Sequence, residues 1–234
     1  MNTFSAGRGT TTCHGVIPIA GKYSTFARFY DVMSGEYPVY RAGRETGIGK
    51  LRPTAGAQVL DVGCGTGLNF GLLQERVTPG GTIVGIDRSS EMLAQARRRA
   101  ERNGWTNVIL IRADATALSP TDIRARIEAE GGRAHSDAVL ATYALSLMAD
   151  WDRAWSNMVS LTAPEARLCV VDLQKPVGIF AALTPLAKVA CWLGGSDIDA
   201  HPWTGVERDC ADVTVASARG GHLQIRAGTR TALT

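Results

Sequence analysis

The stretch Val59-Leu60-Asp61-Val62-Gly63-Cys64-Gly65-Thr66-Gly67 constrains this chain more than any other. An apolar run ends in an acid, glycines follow at alternate positions, and a helical pattern runs from Leu68 through Leu73. That order reads as a strand, a tight turn and a helix N-terminus, with glycines where the backbone must pass close under a bound ligand. A second strand-like run, Thr82-Ile83-Val84-Gly85-Ile86, ends at Asp87. This acid lies where α/β nucleotide folds place the carboxylate that holds a ribose.

The glycine spacing narrows the nucleotide. A dinucleotide fingerprint, G-x-G-x-x-G, would need its third glycine at position 68 or 70, and those positions hold Leu68 and Phe70. The pattern present, Asp-x-Gly-x-Gly-x-Gly, resembles motif I of the class I S-adenosylmethionine-dependent methyltransferases. Asp87 with Ser89, Ser90, Glu91, Met92 and Leu93 resembles the second motif of that family, and Arg112-Ala113-Asp114-Ala115 the third. The resemblance runs from about Tyr30 to about Asp172. Each motif alone is common; all of them in order at βαβ spacings are specific.

The resemblance implies S-adenosylmethionine as cofactor and assigns roles along the chain. Gly63, Gly65 and Gly67, with Cys64 inside the turn, would carry its methionine and ribose end. Asp61 would bind its ammonium and Asp87 its ribose hydroxyls, with Arg88 and Met92 alongside. Asp114 would meet the adenine amino group, flanked by Ala113 and Ala115. Thr142 and Tyr143 follow the fourth strand on the ligand edge. No Asn/Asp-Pro-Pro-Tyr sequence stands there, which argues against DNA bases and protein glutamine as acceptors. Phe29-Tyr30-Asp31, followed by Arg41 and Arg44, resembles the N-terminal helix of the quinone C-methyltransferase branch, which includes bacterial phospholipid N-methyltransferases. In that branch Tyr30 would shield the sulfonium and Arg44 would meet the cofactor carboxylate or an acidic headgroup. Packing of Phe29 and Tyr30 into the core explains the same pattern as well.

The rest of the chain bounds the setting. Its 234 residues make one α/β domain with additions. A formal charge of +3 is too small to point to nucleic acid, and Arg97, Arg98, Arg99 and Arg102 read as a solvated helix face. Cys13, Cys64, Cys169, Cys191 and Cys210 contain no C-x-x-C pair and suggest neither a zinc site nor a disulfide framework, which suits a reducing cytoplasm. His135, Asp137 and Asp172 are scattered, so no metal is expected. The apolar segment Ile179 to Leu193 is too short to span a bilayer; with a lipid-like acceptor it would contact a membrane surface peripherally.

The expected fold is α/β: a doubly wound, Rossmann-like, seven-stranded sheet closed by a C-terminal antiparallel hairpin. Strands are predicted over Gln58 to Val62, Thr82 to Ile86, Val108 to Ile111, Asp137 to Ala141 and Leu168 to Leu173. The hairpin turns at Gly220-Gly221. Helices are predicted from Leu68, from the Ser89 or Ser90 cap to Arg102, over Thr121 to Glu130 and over Asp152 to Leu161. Residues 1–21 read as a mobile tail and 22–234 as one domain, with a helical cap over 22–50 and a lid or insertion over 174–210.

The inferred chemistry is in-line methyl transfer to a small-molecule or lipid-headgroup acceptor. No strong base stands out, which tilts the reading toward an amine, although His201 or a tyrosine, Tyr30 or Tyr143, could serve an oxygen or carbon acceptor. His201 reads first as a turn residue and only second as a base. Two other readings compete: a non-catalytic nucleotide-binding regulatory module, and a nicotinamide-dependent reductase. The second needs the missing dinucleotide glycines and a Tyr-x-x-x-Lys pair, also missing.

Overall fold

Parallel strands covered on both faces need unbroken apolar runs. Such runs form β1 (Gln58–Val62), β2 (Thr82–Asp87), β3 (Val108–Arg112) and β4 (Ser136–Thr142). The computed structural model describes residues 40–231 apart from 177, 179–180, 182–183, 186–190 and 192–194. Within these bounds the chain is a seven-stranded sheet with helices on both faces, as the sequence predicts. Its strand order is β3-β2-β1-β4-β5-β7-β6. β1 to β5 (Thr162–Leu173) are parallel; β7 (Leu223–Arg230) enters antiparallel between β5 and β6 (Cys210–Ala218). The winding reverses where β4 returns beside β1. In open α/β sheets the crevice outside the strand ends at such a reversal takes the ligand.

One core face holds Ile48 and Leu51 of α1 (Arg41–Leu51), Phe70 and Leu73 of α2 (Phe70–Val77), and Leu93 and Ala96 of α3 (Ser90–Arg102). The other holds Ile123 and Ile127 of α4 (Pro120–Ala129) and Trp155 and Met158 of α5 (Trp151–Ser160). Trp155 is fully buried, donates Nε1–H to Asp209 at 2.6 Å, and lies against Gly205 of α6 (Thr204–Asp209). The caps follow the sequence: Ser89, rather than Ser90, accepts from the Met92 amide, and Ser119 and Asp150 cap α4 and α5.

Several boundaries shift. α2 begins at Phe70 rather than Leu68, because residues 66–69 are still turning: the Gly67 amide bonds the Cys64 carbonyl and the Phe70 amide the Gly67 carbonyl. β5 begins at Thr162, well before Leu168; Glu165, at φ 61°, and a register shift between Ser136 and Ala138 interrupt an apolar pattern that becomes continuous only later. The tail 1–21, most of the cap 22–50 and the greater part of the Ile179 to Leu193 segment lie outside the described residues. No helix among the described residues is long and apolar enough to cross a membrane.

Close approach of α1 to the sheet depends on glycine. A Cβ built on Gly47 would lie 2.4 Å from Val171 Cγ2. Gly47→Ala should therefore push α1 off β5 and cost about 1–3 kcal/mol, the usual penalty of overpacking. Urea denaturation measures it; an unchanged midpoint would contradict the tight docking.

Candidate functional site

The glycine turn follows β1 and is pinned to β2. The Gly63 and Cys64 amides donate to the Ile86 carbonyl at 2.8 and 3.0 Å. A Cβ on Gly63 would lie 2.4 Å from Ala144 Cβ, whereas one on Gly65 would meet nothing within 4 Å. The glycine at 63 is thus required by the protein's own packing. At Gly65 the φ of 55° disfavours a side chain, and the space above the turn is open. Asp87 faces that turn from the end of β2. Its Oδ2 accepts from the Gly65 amide at 2.9 Å and its Oδ1 from the Ser89 amide at 2.9 Å. An ionised carboxylate has about four acceptor sites, so each Asp87 oxygen retains capacity for a ligand hydroxyl.

Across the reversal sits a buried polar knot. Asp61 has no solvent exposure. Asn69 Nδ2 donates to both Asp61 oxygens, at 2.9 and 3.0 Å, and also lies 3.0 Å from Thr142 Oγ1. Arg44 Nη1 reaches down from α1 to Thr142 Oγ1 at 2.7 Å and Asn69 Oδ1 at 3.1 Å. Burial pushes Asp61 up to about 7, against the lowering effects of Asn69 and Arg44, with Asp87 raising it slightly further. A buried acid in this condition favours an added cation, because a cation restores what desolvation removed. Asn69 carries no sequence signal beyond its place, one turn after the glycines at the α2 N-terminus.

Arg44 also stacks on Tyr143, with its guanidinium carbon 5.2 Å from the ring centroid. Tyr143 adopts φ 55°, and its hydroxyl donates to the Tyr40 carbonyl at 2.8 Å. The hydroxyl thus ties β4 to the start of α1. Asp114, on the loop after β3, accepts from the Thr116 hydroxyl at 2.7 Å and amide at 2.9 Å, bonds that hold it below the usual carboxylate range. The Ala113 amide bonds the Asp87 carbonyl at 3.1 Å, which links the second and third motifs physically. Ala115 is buried, and Met92 is placed by the Ser89 cap. Arg88 is exposed, its carbonyl taking the Arg112 guanidinium at 3.2 Å.

Cys64 is buried, and burial together with Asp61 and Asp87 raises its thiol well above the ordinary range, so it stays protonated. His201 is exposed at φ 49°, with its ring 4.9 Å from Trp203 and its carbonyl accepting from Thr204. These contacts belong to a turn before α6, and none reaches the Asp61 knot. Tyr30 lies outside the described residues. Among the described residues no three His, Cys, Asp or Glu side chains are grouped to hold a metal ion.

Residues 53–213 match the family model described as a methyltransferase domain. The chain belongs to the methyltransferase domain family. The methyltransferase resembles the demethylmenaquinone methyltransferase of Thermus thermophilus, at 34% identity over 51% of this chain and 48% of that protein. It therefore spans about half the length of that relative. It is also similar to the demethylmenaquinone methyltransferase of Shouchella clausii, at 26% identity over 88% of this chain and 93% of the relative. The fold matches that of phosphoethanolamine N-methyltransferase 2 from Haemonchus contortus, with a TM-score of 0.65 and 14% identity over 89% of this chain and 58% of that one.

The knot has a measurable consequence without ligand. The folded value of Asp61, about 7, lies above its ordinary 3.8. The contribution of this group to stability is therefore fully present below about pH 4 and is lost as pH rises through 7. Asp172, raised to about 6, acts in the same direction. Asp61→Asn should stabilise the ligand-free protein at pH 8 relative to pH 5, on the order of a few kcal/mol. Urea midpoints across that range test this, and parallel profiles for variant and wild type would contradict it.

Proposed function

We propose that this protein transfers the methyl group of S-adenosylmethionine to a small-molecule acceptor. The carrying observation is the pair of carboxylates at the reversal point: Asp87 held at the open Gly65, and Asp61 buried in a knot that favours a cation. The residues present fit the cofactor. Asp61 would hold its ammonium, Arg44 its carboxylate and Asp87 its ribose hydroxyls. Ala113, Asp114 and Ala115 would face the adenine, and Gly65 leaves the room. When bound, S-adenosylmethionine supplies an activated methyl and its leaving group. What the chain contributes is orientation and exclusion of water, which can account for much of a rate enhancement. In this reading residues 22–234 are one methyltransferase unit, α1 is the described part of an N-terminal cap, and 174–210 is an insertion.

The names of the two demethylmenaquinone methyltransferases support an acceptor of the demethylmenaquinone type. A second reading, an amine, draws on the site itself. The buried carboxylates Asp61 and Asp172 are both tied by N–H or O–H donors, and an amine that binds deprotonated needs no base. Methyl-labelled S-adenosylmethionine offered with a naphthoquinol or with a phosphoethanolamine-type amine separates these readings. Label should enter one of them, with S-adenosylhomocysteine released in equal amount. Binding of the cofactor with no transfer to either would favour the regulatory module. Asp87→Ala should weaken S-adenosylhomocysteine by about 2 kcal/mol or more, through lost charge-assisted hydrogen bonds; unchanged affinity would overturn the ribose assignment.

A further inference from the structure

A second buried carboxylate stands apart from the methyl-donor residues. Asp172, near the end of β5, has no solvent exposure. Its Oδ1 accepts from the Ser146 hydroxyl at 2.6 Å and the Leu173 amide at 2.9 Å, and its Oδ2 accepts from the Ser146 amide at 3.1 Å. Three donors converging on one buried acid make a rigid joint, and loss of the acid would leave all of them unsatisfied.

Ser146 is the other half of the joint, and it faces two ways. Its carbonyl accepts from the Asp197 amide at 2.8 Å, which fastens the chain returning from the segment after β5. Its own segment runs back to the glycine turn. Tyr143 is held at φ 55° by its amide bond to the Val171 carbonyl at 2.7 Å, and Ala144 then packs on Gly63 so closely that a Cβ there would clash. The exit from β5 is fixed at the same level. The Gln174 amide bonds the His222 carbonyl at 2.8 Å, and Lys175 pairs with Asp199 at 2.6 Å. One serine therefore joins the end of β5, the returning chain and the wall of the glycine turn.

We propose that Asp172, acting through Ser146, is a positioning residue for methyl transfer: it sets the segment after β4 against the glycine turn and registers the chain at Asp197 to it, without touching the methyl donor. This inference rests on the methyltransferase reading. An amide at position 172 cannot serve as well, because its N–H₂ would face one of the converging N–H donors.

The test uses the full chain with Ser146→Ala, Ser146→Thr and Asp172→Asn. S-adenosylhomocysteine binding is read by calorimetry, amide exchange by mass spectrometry, and turnover with the better of the naphthoquinol and amine probes. Ser146→Ala should keep S-adenosylhomocysteine affinity within threefold. It should speed exchange at Asp197 and at Leu147-Met148 at least tenfold while β1 and β2 stay protected, and lower kcat at least tenfold. Asp172→Asn should fall between, and Ser146→Thr, which keeps the hydroxyl, should restore both. Unchanged exchange at Asp197, or affinity and kcat falling together, would overturn the proposal. Failure of the wild type to bind S-adenosylhomocysteine would instead overturn the methyltransferase reading, and the exchange pattern would still decide whether Ser146 makes the joint.

Discussion

Keeping the Asp61 carboxylate out of water is the constraint around which the rest of the site is arranged. A buried acid is costly unless hydrogen-bonded or matched by charge. Here Asn69, at the N-terminus of α2, donates to both oxygens, Arg44 of α1 adds a nearby positive charge, and Thr142, at the end of β4, bonds both Asn69 and Arg44. None of them is adjacent to Asp61 in sequence. Satisfying one carboxylate thus fixes where the glycine turn, the switch in strand order and the N-terminal helix meet.

The topology makes that meeting possible. Because β4 pairs with β1, Thr142 comes within reach of Asn69 and so of the buried Asp61 below the glycine turn. α1 then crosses the same strand ends, its glycines close on Val171 and Tyr143, so that Arg44 can reach the knot from outside the sheet. Docking of α1 and the setting of Asp61 therefore share a set of hydrogen bonds. A change that lifts α1 is felt at Asp61, even though the helix makes no part of the nucleotide motifs.

Much of this was legible in the sequence, for physical reasons that differ by residue. Asp61, the glycines and Asp87 are readable because a strand, a tight turn and the acid that ends the next strand must be contiguous or regularly spaced. Asn69 and Asp172 were not readable as site residues, since their roles come from partners far along the chain: Asn69 from Thr142 and Arg44, Asp172 from Ser146. Arg44 is marked by a family resemblance, whereas its contacts with Asn69 and Thr142 depend on how α1 docks. His201 agrees with its first reading: its positive φ and its ring against Trp203 mark the turn that His201-Pro202 suggests. The early start of β5 was hidden because Pro164 and Glu165 break the apolar run that marks a buried strand.

The reading proposed for the β1–β4 reversal is that it takes an adenosyl sulfonium ligand rather than a dinucleotide. Calorimetric titration with S-adenosylmethionine, S-adenosylhomocysteine, NAD and NADP side by side tests it most directly. The two adenosyl ligands alone should bind, with a proton released near neutral pH as Asp61 ionises against the ammonium. Binding of a nicotinamide nucleotide, with the adenosyl ligands inert, would contradict it.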